Sequence, residues 1–169
     1  MKSVGSAGRL SESNRSLLHR QGVTMMDLVV SVLITAILAA IAAPRLAHAV
    51  ASYRVQALTN RVLADLKLAQ ETARSTGQKE TVTFDPASNQ YSMSSITAMD
   101  APNAAYSLDV SDYPYNGILT SASFSGQSAV TFDGYGFPDS SGVIELAAGA
   151  ETQIITISGA TGIASAGGP

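Results

Sequence analysis

Catalytic side-chain types are scarce in this sequence of 169 residues. It contains no cysteine, and its two histidines, His19 and His48, both lie in the first third of the chain. The remaining two thirds therefore lack the residues for a Ser–His or Cys–His nucleophile and for a histidine-based zinc site. The single Gly134-Tyr135-Gly136 sequence is more typical of a tight turn than of a phosphate-binding loop. We expect neither an enzyme nor a bound cofactor, and we interpret both histidines as solvated or interfacial.

Aspartates in predicted loops are the next candidates, because carboxylate oxygens are the ligands that calcium prefers. They are Asp109, Asp112, Asp133 and Asp139. Their spacing does not follow the ligand order of a calcium-binding loop, so solvated loops are the preferred interpretation and no metal site is predicted. Three tyrosines nearby either form an exposed contact patch or cover the sheet: Tyr106, Tyr113 and Tyr115.

One carboxylate stands in apolar surroundings. Asp27 is the only charged residue among residues 23–43, where the other polar side chains are those of Thr24, Ser31 and Thr35. A charge near the centre of a membrane-spanning helix costs about 2.5–3.5 kcal/mol or more, so it normally has a partner or a function. Asp27 is therefore the main candidate for a functional side chain. The alternative is an interfacial charge at the end of an ordinary membrane anchor.

The segment that carries Asp27 is long enough to cross a membrane. Residues 23–43 would span roughly 31 Å as a helix, close to the hydrocarbon thickness of a bilayer. Pro44 and Arg45 end the apolar run, and we expect Pro44 to kink the helix. An amphipathic continuation is predicted over residues 44–77, ending at Gly77. Its apolar positions recur every three or four residues, at Val55, Leu58, Val62, Leu66, Ala69 and Ala73.

The segment before the apolar helix is basic. Residues 1–22 hold four basic residues against one acidic residue, and we interpret them as a removable cytoplasmic leader. The charge balance then reverses, because nine carboxylates and no lysine or arginine follow Lys79. Phosphate neutralisation requires clustered basic side chains, so we expect no nucleic-acid partner for the distal part of the chain.

Beyond Lys79 the hydrophobic period changes from helical to the value of two that strands show. We predict a β-rich domain over residues 78–164, with a strand–turn–strand unit built on the turn Asp85-Pro86-Ala87-Ser88-Asn89. Further strands are predicted over residues 118–124, 129–132, 143–146 and 153–158. Residues 98–117 are predicted as a long loop and residues 165–169 as a frayed tail. The expected fold class is α+β, one long helix on an antiparallel sheet or small sandwich.

The residues around position 22 resemble the type IV prepilin motif. That motif has a glycine before the cut, an apolar first residue, an acid at the fifth position and proline at the twenty-second. Counted from Val23, Asp27 is the fifth residue and Pro44 the twenty-second, with Gly22 before the cut. The resemblance implies cleavage between Gly22 and Val23 by a prepilin peptidase and methylation of Val23. The family usually has Glu and Phe at the fifth and first positions, so Asp and Val suit a minor subunit.

The same resemblance implies a role for Asp27. In pilin assembly the acid pairs with the free amino terminus of a neighbouring subunit, which leaves neither charge unpaired in an apolar filament core. The implied partners are other pilin or pseudopilin subunits, prepilin peptidase and the inner-membrane assembly platform. The implied location is the bacterial inner membrane, crossed once with the distal domain outside the cytoplasm, followed by the pilus or pseudopilus.

The C-terminal strand pattern is similar to that of the H-type minor pseudopilins of type II secretion and of FimT-like minor pilins. It consists of residues 130–136, 142–146 and 154–162. The combined resemblance covers roughly residues 20–85 and 128–164. It implies a structural subunit of a type II secretion pseudopilus or a type IV pilus. FimT-like domains have arginines after the last strand, but residues 159–164 contain none. A DNA receptor is therefore poorly supported.

Two functions of other classes compete with this interpretation. Ala47-His48-Ala49 fits a signal peptidase site, so a secreted binding protein released after Ala49 is the main alternative. An acid inside the apolar region and an amphipathic pattern that continues past Ala49 argue against it. A membrane-anchored enzyme is disfavoured by the missing catalytic residue types.

Overall fold

The computed structural model describes residues 24–98 and 104–167, which form one long helix and eight strands. They fall into two compact units with a boundary between Ala40 and Ile41. Within the described residues, the first unit consists of helix alone. The second unit contains the rest of the helix and all the strands, so the predicted α+β class is confirmed.

Helix α1 runs from Met25 to Thr76, as one element of 52 residues. It ends where predicted, because Gly77 has a φ of 66°, a left-handed conformation that glycine adopts without strain. Pro44 lies inside the helix. Its nitrogen cannot donate to the carbonyl four positions earlier, so one backbone bond of the helix is missing there.

The strands form two antiparallel sheets of four strands each. Their bounds are β1 Glu80–Asp85, β2 Gln90–Thr97, β3 Ala105–Asp109, β4 Ile118–Phe124, β5 Ala129–Phe132, β6 Gly142–Ala148, β7 Glu151–Ile157 and β8 Ala164–Gly167. The order in the first sheet is β3-β2-β1-β5 and in the second β4-β6-β7-β8. Because β5 belongs to the first sheet while β4 and β6 belong to the second, the chain passes between the sheets on both sides of β5.

The predicted strand–turn–strand unit is the β1–β2 hairpin. Asp85 pairs with Gln90 at its closed end. The Asp85 carboxylate accepts hydrogen bonds from the Ala87 N–H (3.1 Å) and the Ser88 hydroxyl (2.6 Å). Asn89 has a φ of 54°, a conformation that asparagine tolerates better than most residues. Short polar side chains therefore close this turn, as the sequence indicated.

The core lies between the second half of α1 and both sheets. Each predicted position of the apolar helix face is buried: Val55, Leu58, Val62, Leu66, Ala69 and Ala73. Large side chains from the strands complete this cluster, among them Phe84, Tyr91, Phe124, Phe132, Ile144 and Ile155. The rings of Phe84 and Phe124, which come from different sheets, stack with centroids 5.7 Å apart. Packing of this face on the sheets stabilises the helix more than its intrinsic propensity does.

Two predictions in the β-rich part of the chain, one in its middle and one at its C-terminal end, are wrong. Residues 98–117 were predicted as a loop, but Ala105–Asp109 forms β3, which pairs with β2. Its Tyr106 and Leu108 are half-buried, whereas the prolines on either side favoured a loop. The predicted frayed tail over 165–169 is also wrong as far as Gly167, because β8 pairs with β7. Its Ala-Ser-Ala-Gly sequence carries no strand signal, so the neighbouring strand determines its conformation.

Thr59 provides a test of the packing of α1. Its side chain is 3% exposed, and its hydroxyl finds no hydrogen-bond partner among the described residues. Leaving such a group unpaired costs about 1–3 kcal/mol. We expect Thr59→Val to raise the free energy of unfolding by about 1 kcal/mol. Thermal unfolding of the full chain in detergent, followed by circular dichroism, measures the change.

Thr59→Ser is the matched control, since it keeps the hydroxyl and removes a methyl group. It should lower the free energy of unfolding by about 1 kcal/mol. A lower melting temperature for Thr59→Val would show that the hydroxyl has a partner, such as a buried water, that stabilises the helix.

Candidate functional site

The predicted functional residues lie at separate positions along the N-terminal part of the chain. Gly22 and Val23 lie outside the described residues. Asp27 lies in the first turn of α1, and Pro44 lies inside the helix in the second unit. Asp27 is bonded to Thr24, a residue that the sequence analysis treated only as a polar position within the apolar segment.

Thr24 and Asp27 cap the start of α1 reciprocally. The Asp27 carboxylate oxygen Oδ2 accepts from the Thr24 N–H at 3.0 Å and from the Thr24 hydroxyl at 2.9 Å. In return, the Asp27 N–H donates to Thr24 Oγ1 at 3.2 Å. This is the capping-box arrangement, with aspartate in place of the usual glutamate or glutamine. The spacing of a threonine and an acid three residues apart was the sequence signal for it.

The helix surface between Met25 and Ile41 is apolar, apart from Asp27, and exposed. The exposed fraction is 85% for Met25 and remains above one half for most of the large side chains up to Ile41. The polar side chains of this stretch bond within the helix, from Ser31 Oγ to the Asp27 carbonyl and from Thr35 Oγ1 to the Val32 carbonyl. The hydroxyl groups of Ser31 and Thr35 therefore require no hydrogen-bond partner outside the helix. The apolar surface itself requires one, because contiguous exposed apolar patches mark interaction or membrane surfaces.

By length and composition, α1 is the one described helix that could cross a membrane. Its most apolar window of 18 residues has a mean hydropathy of 2.4 and includes no buried residue.

A buried polar cluster fastens the second half of α1 to the first sheet. The carboxylate of Asp65 accepts from the hydroxyls of Tyr91 and Tyr106, each at 2.6 Å, and from Nε of Arg61 at 3.1 Å. Arg61 also donates to the Tyr106 hydroxyl at 2.6 Å. This cluster was not predicted from the sequence. The pattern that could have indicated it is an acid, Asp65, on the predicted buried face of the helix between Val62 and Leu66.

A second polar contact holds the end of α1 against two loops. The side-chain amide of Gln70 donates to the carbonyl oxygens of Gly136 (2.7 Å) and Thr161 (3.1 Å). One turn later, Arg74 Nε donates to the Tyr135 carbonyl at 2.9 Å. A Cβ atom at Gly162, whose φ is 70°, would lie 2.4 Å from the Gln70 amide nitrogen. Glycine at that position therefore permits the contact.

Another buried carboxylate lies at the start of β1. Glu80 is fully buried and accepts from the Ser95 N–H at 3.2 Å, the Ser94 hydroxyl at 3.3 Å and the Ser95 hydroxyl. These donors satisfy a carboxylate that would otherwise be costly to bury. Neither Asp65 nor Glu80 is placed to act on a substrate, because both carboxylates are buried and already accept hydrogen bonds from other groups of the protein.

Two of the four aspartates that were predicted to lie in loops, Asp133 and Asp109, accept hydrogen bonds from residues that follow them closely, and Asp109 is the last residue of β3 rather than a loop residue. The Asp133 carboxylate accepts from the N–H groups of Tyr135 (3.0 Å) and Phe137 (2.8 Å). The Asp109 carboxylate accepts from the hydroxyl (2.6 Å) and the N–H (2.8 Å) of Ser111, and these bonds lower the pKa of Asp109. The structure therefore gives these residues a turn-forming role.

The three tyrosines near the predicted loop do not share one environment. Tyr106 belongs to the Asp65 cluster, and Tyr115 is half-buried against the core. Tyr113 is 89% exposed. Tyr106 and Tyr115 therefore pack on the sheet domain, whereas the exposed side chain of Tyr113 leaves its role as a contact residue a prediction.

His48 contacts the turn between β6 and β7. Its Nδ1 lies 3.4 Å from a carboxylate oxygen of Glu151, and both side chains are partly exposed. In the same region a Cβ atom at Gly149 would lie 3.3 Å from the Cβ of Ala51. The turn therefore rests directly on this stretch of α1.

Comparison with known proteins identifies one family. The family model described as type II transport protein GspH matches residues 58–161. Two crystal structures of the type IV minor pilin FimU from Pseudomonas aeruginosa are similar to this chain. One is 15% identical, with a TM-score of 0.48, and the match covers 66% of this chain and 91% of that one. The other is 12% identical, with a TM-score of 0.49, and covers 70% and 90%. No curated protein sequence matches this chain.

The Asp65 cluster makes stability depend on pH. Burial, and then the Asp65 carboxylate, raise the pKa of Tyr91 far above its ordinary value of 10.0. An unfolded tyrosine loses its proton near pH 10 while the folded one keeps it. Stability is therefore fully present below pH 10 and falls as the pH rises, by up to about 1.4 kcal/mol per pH unit. Melting temperatures between pH 9 and pH 11, with phenolate absorbance recorded in parallel, would measure this loss.

Tyr91→Phe should lower stability at neutral pH and flatten its decline above pH 10. Tyr135→Phe is the matched control, because that side chain is 79% exposed. It should leave the slope unchanged. An equal slope for Tyr91→Phe and the parent would mean that Tyr91 does not retain its proton in the folded state.

Proposed function

The chain belongs to the type II transport protein GspH family, and from this premise we propose that it is a minor pseudopilin, a structural subunit of a type II secretion pseudopilus or a closely related type IV pilus. Members of the family are structural pilin-like subunits rather than enzymes. In this proposal the chain is processed by prepilin peptidase and is added to the filament by an inner-membrane assembly platform.

The observation that carries the proposal is the contrast between the two parts of α1. Up to Ile41 its large apolar side chains are exposed, whereas from Val55 onward one face is buried in the domain's own core. A helix that is apolar all round requires a membrane or other helices to cover it. In a pilin-like subunit, lipid covers this apolar surface before assembly, and the helices of neighbouring subunits cover it in the filament.

The proposed orientation follows from the charges that flank the apolar stretch. Four basic residues precede it and three arginines follow it within eighteen residues, namely Arg45, Arg54 and Arg61. The small excess on the leader side favours a cytoplasmic leader, with the strands outside the cytoplasm. The apolar stretch would then cross the inner membrane once, with the two-sheet domain in the periplasm.

Asp27 is the proposed assembly residue. Its carboxylate lies at an exposed helix start, where Thr24 supplies donors from the same chain. Cleavage after Gly22 would create an ammonium group at Val23, and a neighbouring subunit would offer that group to Asp27. An ion pair in an apolar core avoids the large cost of leaving either charge unpaired.

Processing is the first test of this function. Cleavage after Gly22 would leave 147 of the 169 residues, with a methyl group on Val23. Intact-mass analysis of the protein extracted from membranes should give that mass. Gly22→Leu is the control and should leave the leader attached, since the resemblance implies that the peptidase requires glycine there. A mature chain that begins at Val50 would refute the pseudopilin function and support a protein secreted after signal-peptidase cleavage.

The role of Asp27 is the second test. Asp27→Ala should enter the membrane at least as well as the parent, because a charge in the apolar helix is removed. Its incorporation into sheared filaments should fall by at least about tenfold, since an unpaired charge in an apolar core costs several kcal/mol. Asp27→Glu, which restores the length usual in the family, should assemble as well as the parent. The assay compares membrane-fraction and filament protein for each variant, with processing checked by gel mobility.

Thr24→Val separates pairing between subunits from capping within one subunit. It removes the hydroxyl of the cap but leaves the carboxylate, so it should keep most of its incorporation into filaments. If Thr24→Val were lost from filaments as completely as Asp27→Ala, capping of α1 would explain the defect and the proposed ion pair would be wrong.

A further inference from the structure

A groove lies beside the turn between β6 and β7, where that turn rests on α1. It has a volume of about 440 Å³ and is lined on the turn side by Ala148 and Gly149. Its helix side is formed by Ala43, Leu46, Ala47, Val50, Ala51 and Arg54. The groove therefore has apolar walls and one arginine, Arg54, at its far end along the helix.

The groove is exposed in the described structure. Leu46 is 67% exposed and Val50 is 39% exposed, although both are large apolar side chains. Within residues 24–98 and 104–167, no carboxylate lies within ion-pair distance of Arg45 or Arg54. The apolar walls and the free guanidinium of Arg54 together fit a ligand with an apolar body and an anionic end.

The sequence places the groove close to a membrane surface. The apolar run of residues 23–43 ends before Pro44 and Arg45, and the groove begins at Ala43, so it starts at the edge of the hydrocarbon. Arg54 lies about 16 Å beyond Ala43 along the helix, and helical side chains lean toward the helix N-terminus. The Arg54 side chain therefore reaches back toward the headgroup layer, and Leu46 lies next to the edge of the hydrocarbon.

We propose that this groove binds a phospholipid with an anionic headgroup, the acyl part lying along the apolar walls and the phosphate pairing with Arg54. The proposal rests on the membrane anchoring in the proposed function and adds a specific partner to it. The charge of Arg54 favours an anionic lipid over the apolar helix of a neighbouring subunit, because residues 28–43 of such a helix contain no carboxylate that could pair with it.

The experiment measures phospholipid retained by the full mature chain after release from nanodiscs, by native mass spectrometry. The nanodiscs contain phosphatidylcholine alone or phosphatidylcholine mixed with phosphatidylglycerol. One arginine near a membrane surface supports about a fivefold preference for an anionic lipid. The parent should therefore retain phosphatidylglycerol about fivefold over phosphatidylcholine, relative to the supplied mixture.

Arg54→Gln should abolish this preference, and Arg45→Gln is its matched control. Arg45 and Arg54 are nine residues apart, so they point to opposite sides of the helix. Arg45 is the closer of the two to the apolar stretch. If Arg45→Gln removed the preference and Arg54→Gln did not, the lipid would be attracted by surface charge alone and the groove proposal would be overturned.

Ala47→Phe tests the apolar walls by filling the groove, with Ala49→Phe as a control two residues away that does not line it. Ala47→Phe should lose phosphatidylglycerol, while Ala49→Phe should retain it; an unchanged melting temperature shows that each variant is folded. Equal retention by both variants would overturn the proposal. If Ala47→Phe retained lipid but failed to enter filaments, the occupant would be a neighbouring subunit, and the lipid proposal would likewise be wrong.

The same data distinguish this proposal from the proposed function. A chain that is found in the membrane fraction and assembles into filaments, yet shows no anionic preference, refutes the lipid site alone. A chain that is not recovered with membranes at all refutes the proposed anchoring, and the lipid site with it.

Discussion

One buried face of α1 holds the second unit together, and the rest of that unit is organised around it. The face repeats every three or four residues from Val55 to Ala73 and packs against both sheets. Because side chains from both sheets join the same core cluster as this one helix face, neither sheet has to form a closed core by itself. The chain also crosses from one sheet to the other before and after β5, so two connections join the sheets.

Polar groups on that face fix how the helix is seated. Apolar packing alone tolerates small rotations and shifts, whereas hydrogen bonds require particular atoms to meet. Asp65 requires the hydroxyls of β2 and β3, and Gln70 requires two loop carbonyls from distant parts of the chain. These contacts give the helix one position along and around its axis. The exposed apolar stretch before Ile41 has no such contacts, which suits a surface whose neighbours change.

The sequence predicted what local patterns encode. The helix, its end at Gly77, its buried face and the β1–β2 hairpin all follow from periodicity and turn chemistry. The strands β3 and β8 were missed because their conformation depends on a neighbouring strand: β3 lies between prolines, and β8 consists of small residues. At the candidate site, the position of Asp27 on the first turn could be predicted. Its hydrogen bonds to Thr24 were not predicted, although the spacing of a threonine and an acid three residues apart is the sequence pattern of a capping box. The Asp65 cluster joins residues 26 and 41 positions apart, and no pairwise signal in a single sequence connects them.

The spacing of the helix contacts has a mechanical consequence. Asp65, Gln70 and Arg74 are attached to the strands and loops at successive points along one helix. A pull along the helix axis would load these attachments side by side in shear, so the force is shared among them. A pull at right angles to the axis would peel them apart one after another. These attachments therefore resist a lengthwise pull on the helix best, and in the proposed function that is the direction of force on a subunit that leaves the membrane for the filament.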